Sequence, residues 1–125
     1  MKQIAWDEVM KRLEVVLKRN PEERYMVGEL TLYPDRKQVF MGKTELSLTA
    51  KEYQLLEYLM RNQGQVLTKE NILETIWGVD GQFVVDNTVS VTINRLRRKI
   101  EPDGERQGYI QNVFGLGYRI GEKER

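Results

Sequence analysis

One segment, residues 85–100 (VDNTVSVTINRLRRKI), constrains the fold most because its two sides differ in chemistry. At about 100° per residue in a helix, its apolar residues fall within one arc of about 80°. They are Val85, Val89, Ile93, Leu96 and Ile100. The opposite arc carries Asn87, Ser90, Val91, Asn94, Arg95, Arg97 and Arg98. We expect a helix that packs one side on a core, with Asp86 or Asn87 capping its start.

The outward side of this helix favours nucleic acid as a partner. It has no acidic residue after Asp86, whereas ordinary surface helices mix Glu with Lys. Short polar side chains and arginines suit the base edges and phosphates of a DNA major groove, and Val91 could contact a thymine methyl. The alternative is that cations near the helix C-terminus only complement the macrodipole in water. The helix alone leaves both interpretations open.

Composition limits the function classes. The chain has 125 residues, with 40% hydrophobic and 31% charged, which predicts one globular domain with or without an appendage. A net charge of +1 means that any binding to nucleic acid depends on local charge placement. The absence of Cys and His excludes disulfides, the usual zinc sites and Ser-His-Asp triads. With no signal peptide or membrane span in the pattern, we expect a cytoplasmic binding protein without metal or cofactor.

The first half of the chain predicts a helix followed by a small sheet. Residues 4–19 carry one apolar stripe at helical spacing, which Asn20–Pro21 ends, and 22–24 suit a linker. From residue 25 the period changes to strand-like alternation, with turns at 33–36 and 42–43. The alternating residues are Leu30, Leu32, Val39, Met41, Leu46 and Leu48. We therefore expect an appendage at 1–24 and a domain at 25–125.

The second half predicts three helices and a hairpin. Thr49 and Glu52 form a capping box that opens a helix to about Asn62, and Thr68 caps another helix through Trp77. The two-sided helix comes third. Two short strands, 109–113 and 118–120, then flank Phe114-Gly115-Leu116-Gly117. The expected fold class is α+β: a winged helix-turn-helix with an N-terminal antiparallel sheet, a three-helix core and a C-terminal β-hairpin wing, preceded by one amphipathic helix.

Three runs carry a family resemblance: LTAKEYQLLEYLMRNQGQVLTKENILETIWG, NTVSVTINRLRRKIE and YIQNVFGLGYRI. Over about residues 25–121 the chain resembles the effector domain of OmpR/PhoB-type response regulators of two-component systems. The resemblance implies a four-stranded N-terminal sheet and binding of double-stranded promoter DNA, usually at direct repeats. It implies RNA polymerase contact through the loop 78–84, with Val79, Asp80, Gln82 and Phe83. The first helix resembles the last helix of a receiver domain plus linker, which would place a receiver domain and a sensor kinase with the full-length protein; a padding helix is the alternative.

The candidate DNA-binding residues divide by role. Ser90, Val91, Asn94 and Arg97 are candidates for base edges, and Thr88, Arg95, Arg98 and Lys99 for phosphates. For the cations the alternative is solvation, and for Thr88 it is a first-turn cap. Lys69 lies at a helix N-terminus that welcomes phosphate, and the resemblance supports Lys69 and Trp77 as backbone contacts. The resemblance also implies a phosphate contact for Tyr118; the alternative for both aromatic residues is packing.

This sequence departs from the family at three candidate DNA-binding positions. Members often have arginine where Asn87, Asn94 and Phe114 stand, and losing those cations lowers non-specific binding. Asparagine pairs well with adenine, so Asn87 or Asn94 could prefer A where arginine would prefer G. Phe114 either lies on sugar and backbone or turns inward, and we expect the inward packing role.

The sequence favours a sequence-specific DNA-binding transcription regulator, with helix 86–100 in the major groove and wing 109–120 at the backbone or minor groove. The alternative is a winged-helix protein-interaction module that offers the same face to an acidic partner. RNA binding is disfavoured because the face lacks aromatic platforms other than Phe114. An enzyme is not expected, because no nucleophile–base pair or Gly-rich phosphate loop is evident.

Overall fold

The computed structural model describes residues 23–78, 87–101 and 108–121. The expected helix at 4–19 lies outside these ranges, as do Val85, Asp86 and loop residues 79–84. No helix in the described ranges is both long enough and apolar enough to cross a membrane.

The described chain opens with a four-stranded antiparallel sheet in the order β1-β2-β3-β4. Its strands are β1 Tyr25–Val27, β2 Leu30–Tyr33, β3 Gln38–Met41 and β4 Thr44–Glu45. The alternating pattern predicted that one face of the sheet points inward, and the burial of Leu30, Leu32 and Val39 confirms this. Leu46 and Leu48 pack partly on the core but follow β4 instead of forming a strand. The three-residue β1 is too short for a local pattern to identify, and only the resemblance had implied it.

Helix α1 (Ala50–Arg61) begins with the predicted capping box. Thr49 Oγ1 accepts from the Glu52 N–H at 3.2 Å, and Glu52 Oε1 accepts from the Thr49 N–H at 2.9 Å. These two bonds satisfy backbone donors that a helix start leaves open. The buried apolar residues of the helix line one side and face the sheet and the other helices: Tyr53, Leu55, Leu56, Leu59 and Met60.

Helix α2 (Lys69–Ile72) is also capped as predicted, since Thr68 Oγ1 accepts from the Asn71 N–H at 3.0 Å. It continues as a π-helical segment, Leu73–Trp77, which ends at Gly78 with φ +54°. Ile72 and Ile76 are buried, so the element is anchored to the core through both of its halves.

Helix α3 (Thr88–Ile100) is the two-sided helix, and β5 (Ile110–Val113) pairs with β6 (Gly117–Ile120) in the hairpin that follows. The four described residues of the predicted apolar arc are all buried: Val89, Ile93, Leu96 and Ile100. The hairpin is tied to the core by two backbone bonds between Leu67 and Tyr118, 2.8 and 2.9 Å long. Gly117 permits this approach, because a Cβ there would lie 2.1 Å from the Leu67 carbonyl oxygen.

Buried residues of the sheet, the helices and the hairpin form one apolar cluster. The order of a sheet, three helices and a hairpin confirms the expected α+β architecture. Because the hairpin shares the core of the helices, it is held in a fixed position relative to α3.

Candidate nucleic-acid interface

The outward side of α3 has the predicted polar and cationic character. Asn87, Asn94, Arg95 and Arg98 are exposed, while Thr88, Ser90, Val91 and Arg97 are half-buried at its margins. Within residues 87–101 the one acidic side chain is that of Glu101, which is buried. The helix therefore presents amides, hydroxyls and guanidinium groups with no exposed carboxylate beside them.

The start of α3 differs from expectation. Asn87 occupies the N-cap position, but its side chain makes no capping bond. Its ψ is 9°, whereas the working caps Thr49 and Thr68 have ψ of 165° and 157°, the extended conformation that aims a side chain at the first turn. Of the two residues expected to cap this helix, Asn87 does not do so, and Asp86 lies outside the described residues. In the first turn the Thr88 carbonyl accepts from Thr92 Oγ1 at 2.8 Å.

Arg97 links α3 to the hairpin. Its Nε donates to the Ile110 carbonyl at 3.1 Å and its Nη2 donates to Asn112 Oδ1. On the helix side, Nη1 donates to Asn94 Oδ1 at 3.3 Å. Burial lowers the pKa of the Arg97 guanidinium, and the nearby Tyr118 and Glu101 oppose that change. An arginine side chain is effectively always protonated in proteins, so the group stays charged. A base contact by Arg97 stays a prediction, and such a contact would share the guanidinium with these internal bonds.

Lys99 links α3 to α1 through an ion pair with Glu52. Its Nζ donates to Glu52 Oε1 at 2.6 Å, with side chains 39% and 4% exposed. Burial would raise the pKa of the Glu52 carboxyl, but the bonds from Lys99 and the Thr49 N–H lower it more, so the net pKa lies below its ordinary value. The two residues are 47 positions apart, so no local pattern could have indicated the pair. Contact of Lys99 with phosphate stays a prediction, and it would compete with this ion pair.

The two candidates on α2 and its continuation lie at opposite ends of that element. Lys69 is exposed in the first turn. Trp77 is half-buried, and its ring centroid lies 5.7 Å from Lys51 Nζ, which also donates to the Ile76 carbonyl at 2.8 Å. Trp77 thus packs on the core with part of its surface still exposed, and its DNA contact stays a prediction.

The wing tip corrects one expectation. Phe114 is 101% exposed, so the expected inward packing is wrong. Phe114 lies in the turn beyond the last paired residues, Val113 and Gly117, where no core is within its reach. Leu116, in the same turn, is 61% exposed.

Tyr118 is packed in the core, which was the alternative to a phosphate contact. It is 6% exposed and belongs to the apolar cluster. Its ring centroid lies 6.0 Å from the guanidinium carbon of Arg97. A phosphate contact by Tyr118 stays a prediction and would involve only the small exposed part of the residue.

A cleft of about 360 Å³ separates the start of α2 from the wing. It is lined by Lys69 and Glu70 on one side and by residues 112–118 on the other. Asn112 is a site residue that the sequence reasoning missed, because it looks like any polar residue on an alternating strand. The four candidate polymerase contacts, Val79, Asp80, Gln82 and Phe83, lie outside the described residues. Over the described ranges, no three acidic side chains group in a way that could hold a metal ion.

Comparison with known proteins gives a consistent result. Residues 43–120 match the family model described as "Transcriptional regulatory protein, C terminal". The DNA-binding domain of Klebsiella pneumoniae RstA, solved in complex with the RstA box, is 28% identical with a TM-score of 0.66, over 80% of this chain and 98% of that one. The C-terminal domain of the nisin resistance regulator NsrR, a lantibiotic response regulator, is 34% identical with a TM-score of 0.63, over 80% and 99%.

A longer protein also matches. Thermotoga maritima DrrB, an OmpR/PhoB homologue, is 30% identical with a TM-score of 0.72. The match covers 97% of this chain but 54% of DrrB, so this chain spans about half the length of that response regulator.

Proposed function

The chain belongs to the family of transcriptional regulatory protein C-terminal domains of the OmpR/PhoB type, and from this premise we propose that it regulates transcription by sequence-specific binding to double-stranded DNA. The family is one of DNA-binding regulators and not of enzymes. The observation that carries the proposal is the outward side of α3, where exposed amides and guanidinium groups stand with no exposed acid.

In the proposed complex α3 lies in the major groove. That groove is about 12 Å wide and admits a helix. Asn94, at the middle of the exposed side, is placed to bond the edge of an adenine, with Ser90 and Val91 beside it. Arg95 and Arg98 are exposed and long enough to reach the flanking phosphates.

The other elements contact the backbone. Lys69, exposed at the start of α2, neutralises a phosphate, and the wing lies against the adjacent backbone or minor groove. DNA binding by a domain of this fold is supported by the RstA DNA-binding domain, which was solved in complex with the RstA box.

The wider assembly is part of the proposal. The match to about half of DrrB supports a place for this domain in a longer response regulator, with a receiver domain and a cognate sensor kinase. We expect binding to direct repeats, contact with RNA polymerase through residues 79–83, and action in the cytoplasm, where promoter DNA is located.

The experiment that tests the function is a gel-shift competition at fixed salt. Duplexes enriched by the protein from a random pool compete against scrambled duplexes of the same composition. A specific regulator should prefer the enriched sequence by about 10³-fold or more. Equal competition by both duplexes would favour a protein-interaction module, the second candidate function.

A further inference from the structure

Among the residues that the structure describes, apolar exposure is concentrated at the wing tip. Across the described ranges three large hydrophobic residues are strongly exposed, and two of them, Phe114 and Leu116, lie in the turn that joins β5 to β6. The third, Met26, is 50% exposed on the outer face of the sheet. A fully exposed phenylalanine beside an exposed leucine forms an apolar patch that no packing within the domain covers.

The tip has a fixed and narrow shape. The Leu116 N–H donates to the Val113 carbonyl at 2.9 Å and closes the turn. Gly115, with φ +72°, and Gly117 add no side chain to its width. Phe114 is therefore carried outward on a slender, hydrogen-bonded turn.

The tip is also coupled to the proposed DNA-reading helix. The Arg97 guanidinium bonds Asn94 on α3 and Asn112 on β5, so a continuous polar strip runs from the exposed side of the helix to the wing. Phe114 lies two residues beyond Asn112, at the start of the turn that follows β5, so this strip leads to the tip of the wing.

The tip cannot act by charge. Residues 108–121 contain one charged side chain, that of Arg119, and its Nη2 and Nε donate to Gln111 Oε1 at 2.9 and 3.3 Å. A cationic wing would bind the negative potential of the minor groove, whereas this tip offers an aromatic ring and an aliphatic side chain. Apolar side chains act in the minor groove by entering between base pairs and partly unstacking them, which kinks the duplex.

We infer that the wing tip is an apolar wedge: Phe114, supported by Leu116, enters a base-pair step of the minor groove next to the α3 site and bends the DNA. The inference rests on the proposed function and adds a specificity mechanism to it. Flexible pyrimidine–purine steps such as TA and CA unstack most easily, so the wedge selects such a step outside the bases that α3 contacts.

The test uses the whole chain and duplexes of about 30 bp that carry one enriched site, with dyes at both ends to report bending. In a second duplex, 2-aminopurine replaces the adenine of the candidate step and reports unstacking. The variants are Phe114→Ala, Phe114→Trp, which keeps an aromatic wedge, and the matched control Met26→Ala, which removes an exposed apolar side chain elsewhere. Because Phe114 is fully exposed, its variants should unfold thermally at the temperature of the parent protein.

The wedge predicts that the parent protein and Met26→Ala bend the duplex by about 20–90° and raise 2-aminopurine fluorescence. Phe114→Ala should lose most of both signals and bind about tenfold more weakly, which is the scale of one lost base–aromatic contact. The loss should be equal between about 50 and 200 mM salt, because no charge is removed. Phe114→Trp should restore bending.

Two results would overturn the wedge while leaving the proposed function intact. One is sequence-specific binding with bending and affinity unchanged in Phe114→Ala. The other is a loss in Phe114→Ala that appears only on duplexes with two sites, which would mean that the tip docks on a second copy of the protein. Failure of the parent protein to prefer any duplex would instead remove the proposed function itself.

Discussion

At the residue scale, the four cations near the end of α3 divide into two kinds. Arg97 and Lys99 make hydrogen bonds inside the domain, to β5 and to Glu52, while Arg95 and Arg98 are exposed. The inner pair orients the helix, and the outer pair is available to phosphates. The sequence alone does not distinguish these four cations. Their roles differ because Lys99 lies 2.6 Å from Glu52 and Arg97 lies 3.1 Å from the Ile110 carbonyl.

The Arg97–Asn112 contact should be measurable as a coupling energy. We predict that Arg97→Ala destabilises the domain by about 1–3 kcal/mol, because the buried Ile110 carbonyl loses a charged donor. In a double-mutant cycle with Asn112→Ala, followed by urea unfolding, the coupling should be about 0.5–2 kcal/mol. Strictly additive effects would show that the bond does not hold the wing.

The Glu52–Lys99 pair predicts a pH dependence. The folded pKa of Glu52 lies below its unfolded value, so the pair stabilises the fold above the unfolded pKa of about 4.3 and the stabilisation is lost as pH falls through the folded pKa. Because Lys99 is partly exposed, we expect Lys99→Met to cost about 1–2 kcal/mol at neutral pH. Unfolding in urea from pH 7 to pH 3 should show the two proteins converging. A difference that does not vary with pH would mean that the ion pair is not its source.

At the scale of elements, α3 is held from both sides, by Lys99 to α1 and by Arg97 to β5. This fixes its roll about its own axis, and so fixes which side chains face outward. Helix α2 contributes differently, because its exposed Lys69 lies across the cleft from the wing. The three elements therefore form one surface on which α3 supplies the central contacts and α2 and the wing supply the margins.

Lys69 tests the role of α2. We predict that Lys69→Ala weakens binding to enriched and scrambled duplexes by the same factor, and lowers the slope of log affinity against log salt by about 0.9. Lys43→Ala is the matched control, since Lys43 is an exposed lysine in the β3–β4 turn. Salt titrations of the parent and both variants give the slopes. An unchanged slope in Lys69→Ala would remove Lys69 from the interface.

At the scale of the whole molecule, local patterns predicted the frame of the fold. Periodicity identified the buried side of α3, and capping residues identified the starts of α1 and α2, because these features depend on neighbours within four positions. Contacts between distant segments could not be predicted in this way. The bonds from Arg97 to Asn112 and from Lys99 to Glu52 require the packed helices before they exist.

The exposure of Phe114 could not be predicted from local patterns either. Its aromatic character suggested burial, but its place in the chain, at the tip of a two-stranded hairpin, puts it out of reach of the core. For the candidate site the sequence therefore indicated which residues share the outward face of α3. It could not indicate which of them are bonded internally or that the wing would present an apolar tip.

The most direct measurement is selection of duplexes from a random pool by the parent protein and by Asn94→Arg in parallel. Asn94 is exposed at the centre of α3, and its Oδ1 is oriented by Arg97. We predict that the parent enriches one recurring sequence with adenine at a fixed position, and that the variant changes this position to guanine and no other. Recovery of the same sequence by both proteins, or of no recurring sequence, would contradict the assignment of α3 as the element that reads DNA.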